Sequence, residues 1–105
     1  MNDGPVDAVF AALADPTRRR VMEHLSERGG ASASELAAIM PVSRQAIAKH
    51  LTALDEAGLV VPERAGRRVR YRLTPHPMGE AVGWMADIGA QWDERLGALR
   101  RLIEG

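Results

Sequence analysis

Cysteine is absent from the 105 residues of the sequence. Disulfide bonds, thiolate metal ligands and a cysteine nucleophile are therefore excluded, and the absence fits a reducing cytoplasm, where we expect the protein to act. No apolar run approaches the roughly 18 residues of a membrane helix, so we expect no membrane partner. Residues 1–5 also lack a basic stretch followed by an apolar one, so we expect no secretory signal.

Net charge is also absent, because 14 basic residues balance 14 acidic ones. The balance is not uniform along the chain, since residues 41–73 contain seven basic and three acidic residues. Electrostatic attraction in salt solution acts over a Debye length of about 8 Å, so a local basic surface is enough to bind a polyanion. A basic hairpin that is merely solvated is the alternative explanation of the same charges.

The first 30 residues carry the signals of two helices. Apolar residues at helical spacing predict a short first helix over residues 6–13. Asp15 followed by Pro16 is typical of an N-cap and a first helical position, so a second helix begins there. Gly29 and Gly30 end it.

Residues 32–58 predict two further helices that are joined by a tight turn. Ser32 and Glu35 form a capping-box pattern at the start of the third helix, and Pro41 prevents this helix from continuing. Ser43 then caps a fourth helix, which runs to about residue 57 and ends before Gly58. Two short helices with a three-residue connection make a helix-turn-helix.

Two short segments after the fourth helix predict a β-hairpin, over residues 59–64 and 69–73, with residues 65–68 between them. Pro62 restricts the first strand to an edge or a bulge position. In the second strand, apolar residues at positions 69, 71 and 73 alternate with arginines at 68, 70 and 72. We therefore expect one face on the core and a basic face in solvent, within a mainly helical fold of order α-α-α-α-β-β-α.

The last predicted helix, residues 76–103, has the clearest periodicity. Large apolar residues and one glycine recur at alternating spacings of three and four, which is typical of the seam along which two helices pair. The seam comprises Val82, Met85, Gly89, Trp92, Leu96, Leu99 and Ile103. Packing against the first helix of the same chain is the alternative, but Trp84, Ile88 and Leu102 make the apolar stripe wider than that helix can cover. We therefore expect a homodimer joined through the first and last helices. The expected dimer interface comprises Val6, Phe10, Val82, Met85, Trp92, Leu96, Leu99 and Ile103.

Four segments of the sequence resemble one known family. They read AALADPTRRR over 11–20, SELA over 34–37, SRQAIAKHL over 43–51 and LDEAGLV over 54–60. Together they resemble the arsenic-repressor (ArsR) family of bacterial winged-helix transcription regulators, and residues 64–73 fit the wing of that family. The resemblance implies a homodimer that represses transcription from an operator overlapping its promoter. The segment over 91–96 is similar to a metal-independent branch of the family.

This sequence lacks the residues that form the metal sites of the family. Its metal sensors carry either a cysteine pair on the third helix, where this chain reads SELAA over 34–38, or Asp and His ligands on the last helix. Here Asp87 is followed by no histidine, and His24, His50 and His76 show no paired spacing. We therefore expect neither a metal site nor a cofactor.

The fourth helix and the wing are the candidate DNA-binding elements. Helical geometry places Gln45, Lys49 and Thr52 opposite the apolar stripe of the fourth helix, where they can face the major groove. On this helix we expect DNA contacts from Ser43, Arg44, Gln45, Ala48, Lys49 and Thr52. On the wing we expect them from Arg64, Arg67, Arg68 and Arg70, with a solvated strand face as the alternative for Arg70 and Arg72.

Three further sets of residues have two possible roles each. Arg18, Arg19 and Arg20 are candidates to position phosphates, although Arg18 can equally pair with an acid such as Asp15. His50 is either a phosphate contact or an imidazole that is packed or lies at the surface. Trp84 and Trp92 either pack in the core or line the pocket of a small-molecule effector whose identity the sequence does not give.

Taken as a whole, residues 1–105 predict one winged helix-turn-helix DNA-binding domain, with residues 1–5 flexible and residues 76–103 as the dimerisation helix. We expect a sequence-specific regulator of transcription, a homodimeric repressor that binds double-stranded DNA at a palindromic operator. A winged-helix module that binds only proteins is the alternative. We expect no enzymatic activity, because phosphate-binding loops are missing and the adjacent carboxylates of Asp93 and Glu94 face different ways on a helix.

Overall fold

The computed structural model describes residues 4–74 and 76–104, except the side chains of residues 5, 6, 76–78 and 104. The described residues form a mainly helical fold with three short strands, which confirms the predicted fold class. The predicted interface residue Val6 has its side chain outside the described residues. The elements are α1 (Pro5–Leu13), α2 (Pro16–Arg28), β1 (Ala31–Ser32), α3 (Ala33–Ile39), α4 (Arg44–Glu56), β2 (Val60–Ala65), β3 (Arg68–Leu73) and α5 (His76–Glu104).

Side-chain caps fix the starts of α2, α3 and α4. Asp15 accepts hydrogen bonds from the backbone N–H groups two and three residues later, at 2.7 and 3.2 Å. Ser32 and Glu35 form both bonds of the capping box, at 2.9 and 3.1 Å. Ser43 accepts from the backbone N–H three residues later at 3.2 Å. These caps satisfy N–H groups that a helix leaves unpaired, and they confirm the predicted helix starts.

The sheet has one strand more than the sequence predicts. The two residues of β1 pair antiparallel with β3, Ala31 opposite Tyr71 and Ser32 opposite Arg70, so the strand order is β1-β3-β2. The prediction of a two-stranded hairpin was therefore incomplete. A two-residue strand shows no alternation, and Ser32 was already explained as a helix cap, so the sequence pattern gave no separate signal for β1.

The hairpin turn is tighter than predicted. β2 extends to Ala65 and β3 begins at Arg68, which leaves only Gly66 and Arg67 between the paired strands. Gly66 has φ of +65°, a left-handed conformation that two-residue hairpin turns require and that glycine adopts without strain. Pro62 lies in β2, an edge strand of this sheet, as predicted.

The core is formed where the first four helices meet the base of the sheet. The predicted inward residues of α4, Ile47, Leu51 and Leu54, are fully buried. They pack with buried residues of α1, α2 and α3 and with Leu59, which leads into β2. The apolar face of β3 is half-buried and its arginine face is exposed, which confirms the predicted alternation.

Helix α5 packs on α1 only near its N-terminal end. Ala81 is 3% exposed, and the ring of Trp84 meets the ring of Phe10 edge-on with centroids 5.6 Å apart. The side chains of Trp84 and Trp92 are 52% and 54% exposed, so neither lies in the core of the chain, which was one of the two roles considered for them. Beyond this contact the helix projects from the other elements, so that the molecule is 67 Å long. Large apolar side chains remain exposed along it, among them Val82 at 56%, Trp92 at 54% and Leu96 at 53%.

The cap at Asp15 makes a pH-dependent contribution to stability. Its pKa is lowered, chiefly by the hydrogen bond from the backbone N–H of Arg18 and further by that of Thr17, against an opposing effect of burial. A carboxylate with a lowered folded-state pKa stabilises the fold fully above its ordinary pKa, near 4, and this stabilisation is lost as the pH falls through the lowered value.

We expect Asp15→Ala to lower the melting temperature at pH 7, because a neutral methyl group cannot cap the helix. Asp15→Asn is the matched variant, since asparagine caps a helix but does not titrate. The difference between the parent chain and Asp15→Asn should shrink as the pH is lowered from 5 to 2, as measured by thermal unfolding followed by circular dichroism. A difference that grows with acidity would contradict the assigned role.

Candidate nucleic-acid interface

Helix α4 presents the predicted DNA-facing residues on one exposed surface. Burial of its apolar stripe fixes the rotation of the helix, so the opposite face points outward. All six predicted residues of this helix, from Ser43 to Thr52, are exposed. Two of them also have internal partners, because Ser43 caps the helix and the hydroxyl of Thr52 donates to the carbonyl of Ala48 at 3.0 Å. Gln45, Lys49 and Arg44 lie on the same surface without such a bond among the described residues.

The arginines of the wing divide into two groups. Arg72 pairs with Glu63 at 3.0 Å, and this pairing lowers the pKa of the Glu63 carboxyl. Arg70 donates to the main-chain carbonyl of Gly30 at 2.6 Å, which ties β3 to the end of α2. Arg64, Arg67 and Arg68 surround the tip and are exposed, and their side chains form no hydrogen bond with another described residue. The guanidinium groups at the tip are therefore available to a ligand, whereas those of Arg70 and Arg72 already have partners.

A cleft of about 570 Å³ separates the wing from the helix-turn-helix. Three guanidinium groups and one carboxylate line it, so its charge is mainly positive. The carboxylate is Glu35, whose pKa is lowered first by the backbone N–H of Ser32, against burial, and also by the nearby charges of Arg70 and Arg68. The polar lining comprises Ser32, Ser34, Glu35, Arg44, Arg67, Arg68 and Tyr71.

Two of the three arginines at the start of α2 have partners inside the molecule, whereas Arg20 is exposed. The Nε–H of Arg18 donates to Nδ1 of His50 at 3.4 Å, and its guanidinium group also reaches the carbonyl of Ala12 at 3.5 Å. Arg19 donates to the carbonyl of Leu13 at 2.6 Å. Two guanidinium groups thus approach the C-terminal end of α1, where a helix favours positive charge. None of these three contacts has a signal in the sequence, because each depends on how α1, α2 and α4 pack together.

The Asp15–Arg18 ion pair that the sequence allowed does not form through side chains. Asp15 binds the backbone N–H of Arg18, whereas the Arg18 side chain contacts His50 and α1. His50 is half-buried, so the packed role is the one observed. Within the part of the chain that the structure describes, no group of three or more His, Asp or Glu side chains is placed to hold a metal ion.

Comparison with known proteins places this geometry in a family. A helix-turn-helix domain model matches residues 13–63. An ArsR-like transcriptional regulator from Rhodococcus sp. RHA1 is 45% identical and has a TM-score of 0.79, with 93% of this chain and 92% of that chain covered. The chain belongs to the ArsR family. Its members are helix-turn-helix regulators of transcription, and the wing and helices described above are the winged helix-turn-helix of this family.

Two other ArsR-family relatives carry more specific descriptions. The arsenical resistance operon repressor of Escherichia coli is 38% identical over 80 residues, which cover 76% of this chain and 65% of that protein. A homodimeric winged helix-turn-helix DNA-binding domain, Mb0332 of Mycobacterium bovis, is 26% identical with a TM-score of 0.63, covering 86% of this chain and 80% of that one. The relatives of this chain therefore include a protein named for arsenical resistance. None of the described helices is long and apolar enough to cross a membrane.

The contact between Arg70 and Gly30 gives a prediction about the stability of the wing. We expect Arg70→Met to destabilise the protein by about 1 kcal/mol, because the carbonyl of Gly30 loses its donor. Arg67→Met is the control, since Arg67 lies in the hairpin turn and has no such bond among the described residues. Urea unfolding at equilibrium measures both free energies. Equal stability of the two variants would show that the Arg70 contact is not formed in solution.

Proposed function

We propose that the protein is a homodimeric repressor that binds a palindromic DNA operator with α4 in the major groove and the wing beside it. The observation that carries the proposal is the exposed polar face of α4, which lies across a mainly positive cleft from Arg67 and Arg68 of the wing. DNA binding requires this pairing of an exposed reading surface with phosphate-binding charge. In this proposal residues 1–105 act as a single domain in the cytoplasm, with residues 76–103 as the dimerisation helix.

Base reading is assigned to the first turns of α4. Gln45 can form two hydrogen bonds with the edge of adenine, and Arg44 can do the same with guanine. The small side chain of Ala48 permits close approach to a thymine methyl group. Lys49 and Thr52 lie further along the same exposed face and are assigned to phosphates, as is Ser43. The buried stripe of α4 keeps these groups in a fixed arrangement.

Phosphate binding is assigned to the wing tip. The guanidinium groups of Arg67 and Arg68 border the cleft, and Arg64 extends the same positive surface. Arginine at this position can bind the backbone or enter a narrow A·T-rich minor groove. Arg70 was predicted to join them, but its bond to Gly30 supports a different part for it, that of holding β3 in place.

The dimer is supported by the exposed seam of α5 and by the family. Large apolar side chains in contact with water favour association, and the relative Mb0332 is described as homodimeric. A symmetric dimer presents two copies of α4, which match the two halves of a palindrome. Repression is supported by the E. coli relative, which is named as a repressor.

The division of labour between α4 and the wing can be tested by two substitutions. We expect Gln45→Ala to relax specificity at one or two positions in each half-site, at a cost of about 1–3 kcal/mol per half-site. Arg67→Ala should weaken specific and non-specific binding alike, and it should flatten the plot of log affinity against log salt by roughly one unit per lost contact. The measurement is binding to a selected operator and to a scrambled duplex at several salt concentrations.

The control is Glu56→Gln, an exposed change on α4 one turn beyond Thr52, which is the last residue of the helix to which a DNA contact is assigned. It should leave both specificity and salt dependence unchanged. Unchanged specificity in Gln45→Ala together with an unchanged salt slope in Arg67→Ala would place recognition elsewhere. If the parent chain also binds no DNA in a selection from random duplexes, the alternative of a protein-binding module is favoured.

We further propose that DNA binding does not depend on a metal ion or metalloid. The support is the lack of cysteine and of a histidine set on α5. Addition of zinc, copper, cadmium or arsenite at one equivalent should leave operator affinity within about twofold of its value in chelator. Release of DNA by one of these ions, reversed by chelator or by a competing thiol, would contradict the proposal.

A further inference from the structure

The side chain of Arg18 connects α4 to α1 from the start of α2. The backbone N–H of Arg18 donates to the cap residue Asp15 at 3.2 Å, which fixes the place from which the side chain extends. Its Nε–H donates to Nδ1 of His50 on α4 at 3.4 Å, and its Nη1 donates to the carbonyl of Ala12 in α1 at 3.5 Å. Arg18 and His50 are both half-buried, so these bonds are partly shielded from water. The two side-chain bonds form a link, the Arg18 link, between α4 and α1.

A groove of about 270 Å³ lies beside the Arg18 link, between α1 and α4. Small side chains line it on both helices, and Arg18 and Glu56 are the polar residues of its lining. The small residues are Ala8, Ala11, Ala12, Ala53 and Ala57. Methyl groups on the two sides of an open groove do not interlock, so they restrict the angle between the helices only weakly. On this side of α4, the side chain of Arg18 reaches across the space that the alanines leave.

The two ends of the Arg18 link lie in parts of the molecule with different tasks. α1 packs on α5, where the rings of Phe10 and Trp84 meet with centroids 5.6 Å apart, and the proposed dimer is joined through these helices. α4 carries Arg44 and Gln45, to which base reading is assigned. In a two-fold dimer, the position of α4 relative to α1 therefore determines the distance and the angle between the two copies of α4.

A small tilt of α4 is enough to disturb base reading. Arg44 lies six residues from His50, which is about 9 Å along the helix at 1.5 Å per residue. A tilt of about 10° at His50 would therefore move Arg44 by roughly 1.6 Å. Hydrogen-bond lengths vary by only a few tenths of an ångström. A protomer on one half-site can shift as a whole to compensate, but two joined protomers cannot both shift, because each restricts the other.

We propose that Arg18 and His50 are positioning residues, which hold α4 at the angle to α1 that a palindrome requires. The proposal rests on the homodimer and the palindromic operator of the proposed function, and it adds two residues that determine specificity without contacting DNA. Loss of the Arg18 link should therefore lower the affinity for the whole palindrome. The affinity for a single half-site should stay the same, because each copy of α4 keeps its own DNA-facing residues.

Arg18→Lys tests the link without changing the charge of the chain. Lysine has a methylene group in place of Nε–H and lacks the fork that reaches two acceptors. We expect the affinity for a palindrome selected from random duplexes to fall about tenfold, since the change acts once in each protomer. The affinity for the same duplex with one half-site scrambled should stay within about twofold of that of the parent chain. Fluorescence anisotropy with labelled duplexes measures both.

Arg19→Lys is the matched control for this substitution. Arg19 also donates to a carbonyl at the end of α1, that of Leu13, but it has no bond to α4 among the described residues. Arg19→Lys should bind both duplexes as the parent chain does. A loss that depends only on the carbonyls at the end of α1 would instead appear in both variants.

Two substitutions at His50 separate the hydrogen bond from the space that the ring fills. His50→Asn keeps an acceptor, because the side-chain oxygen of asparagine lies as many bonds from the backbone as Nδ1 does. His50→Leu removes the acceptor, although leucine favours a helix more than asparagine does. We expect His50→Asn to bind the palindrome within about twofold of the parent chain and His50→Leu to resemble Arg18→Lys. A contribution to helix stability alone would give the reverse order.

The link can also be observed without DNA. A neutral imidazole that accepts at Nδ1 carries its proton on Nε2. In alkaline buffer, we therefore expect the ¹⁵N shifts of the His50 ring to show this tautomer in the parent chain and a mixture of tautomers in Arg18→Lys. A parent ring protonated on Nδ1 would contradict the link.

The outcomes distinguish the link from the proposed function. A parent chain that binds the palindrome no better than a fully scrambled duplex would overturn the proposed function and the positioning role with it. A parent chain that prefers the palindrome, with Arg18→Lys and His50→Leu binding it equally well, would overturn the positioning role alone. So would a loss of half-site affinity in these two variants, because a direct contact with DNA weakens each half-site by itself.

Discussion

Burial of the inner face of α4 is the constraint on which the candidate interface depends. Ile47, Leu51 and Leu54 have no solvent exposure and fix the rotation of the helix against α2 and α3. Since residues about 180° away on a helix must then face outward, Gln45 and Lys49 are exposed as a consequence of core packing. The same three residues hold the helix rigid, so the spacing of its polar groups is set before any ligand binds. Hydrophobic packing thereby determines the surface available to DNA.

The arginines show how position decides the use of one side-chain type. Near the base of the wing, Arg70 and Arg72 lie beside acceptors and are bound by Gly30 and Glu63. At the tip, Arg64, Arg67 and Arg68 are exposed, and Arg67 and Arg68 border the cleft. At the start of α2, Arg18 and Arg19 satisfy carbonyls at the end of α1. Among these arginines, the three at the tip of the wing are the ones whose side chains are not already bound to another described residue.

Features encoded locally could be predicted from the sequence. The caps at Asp15, Ser32 and Ser43, the stripe of α4 and the alternation of β3 each depend on residues close together in the chain, and all are present. Features that depend on distant segments could not be predicted. The pairing of β1 with β3 joins segments about 40 residues apart, as does the bond between Arg70 and Gly30. A sequence pattern shows that Arg70 is on a polar face, but the position of the carbonyl that binds it is set by the tertiary fold.

The central claim is that two copies of α4, related by a two-fold axis, read a palindrome. Hydroxyl-radical footprinting of the purified protein on DNA selected from random duplexes tests it most directly. We expect two protected segments related by a dyad, with centres about one helical turn apart and on one side of the duplex. A single protected segment, or selected sequences without a dyad, would contradict binding by a symmetric dimer.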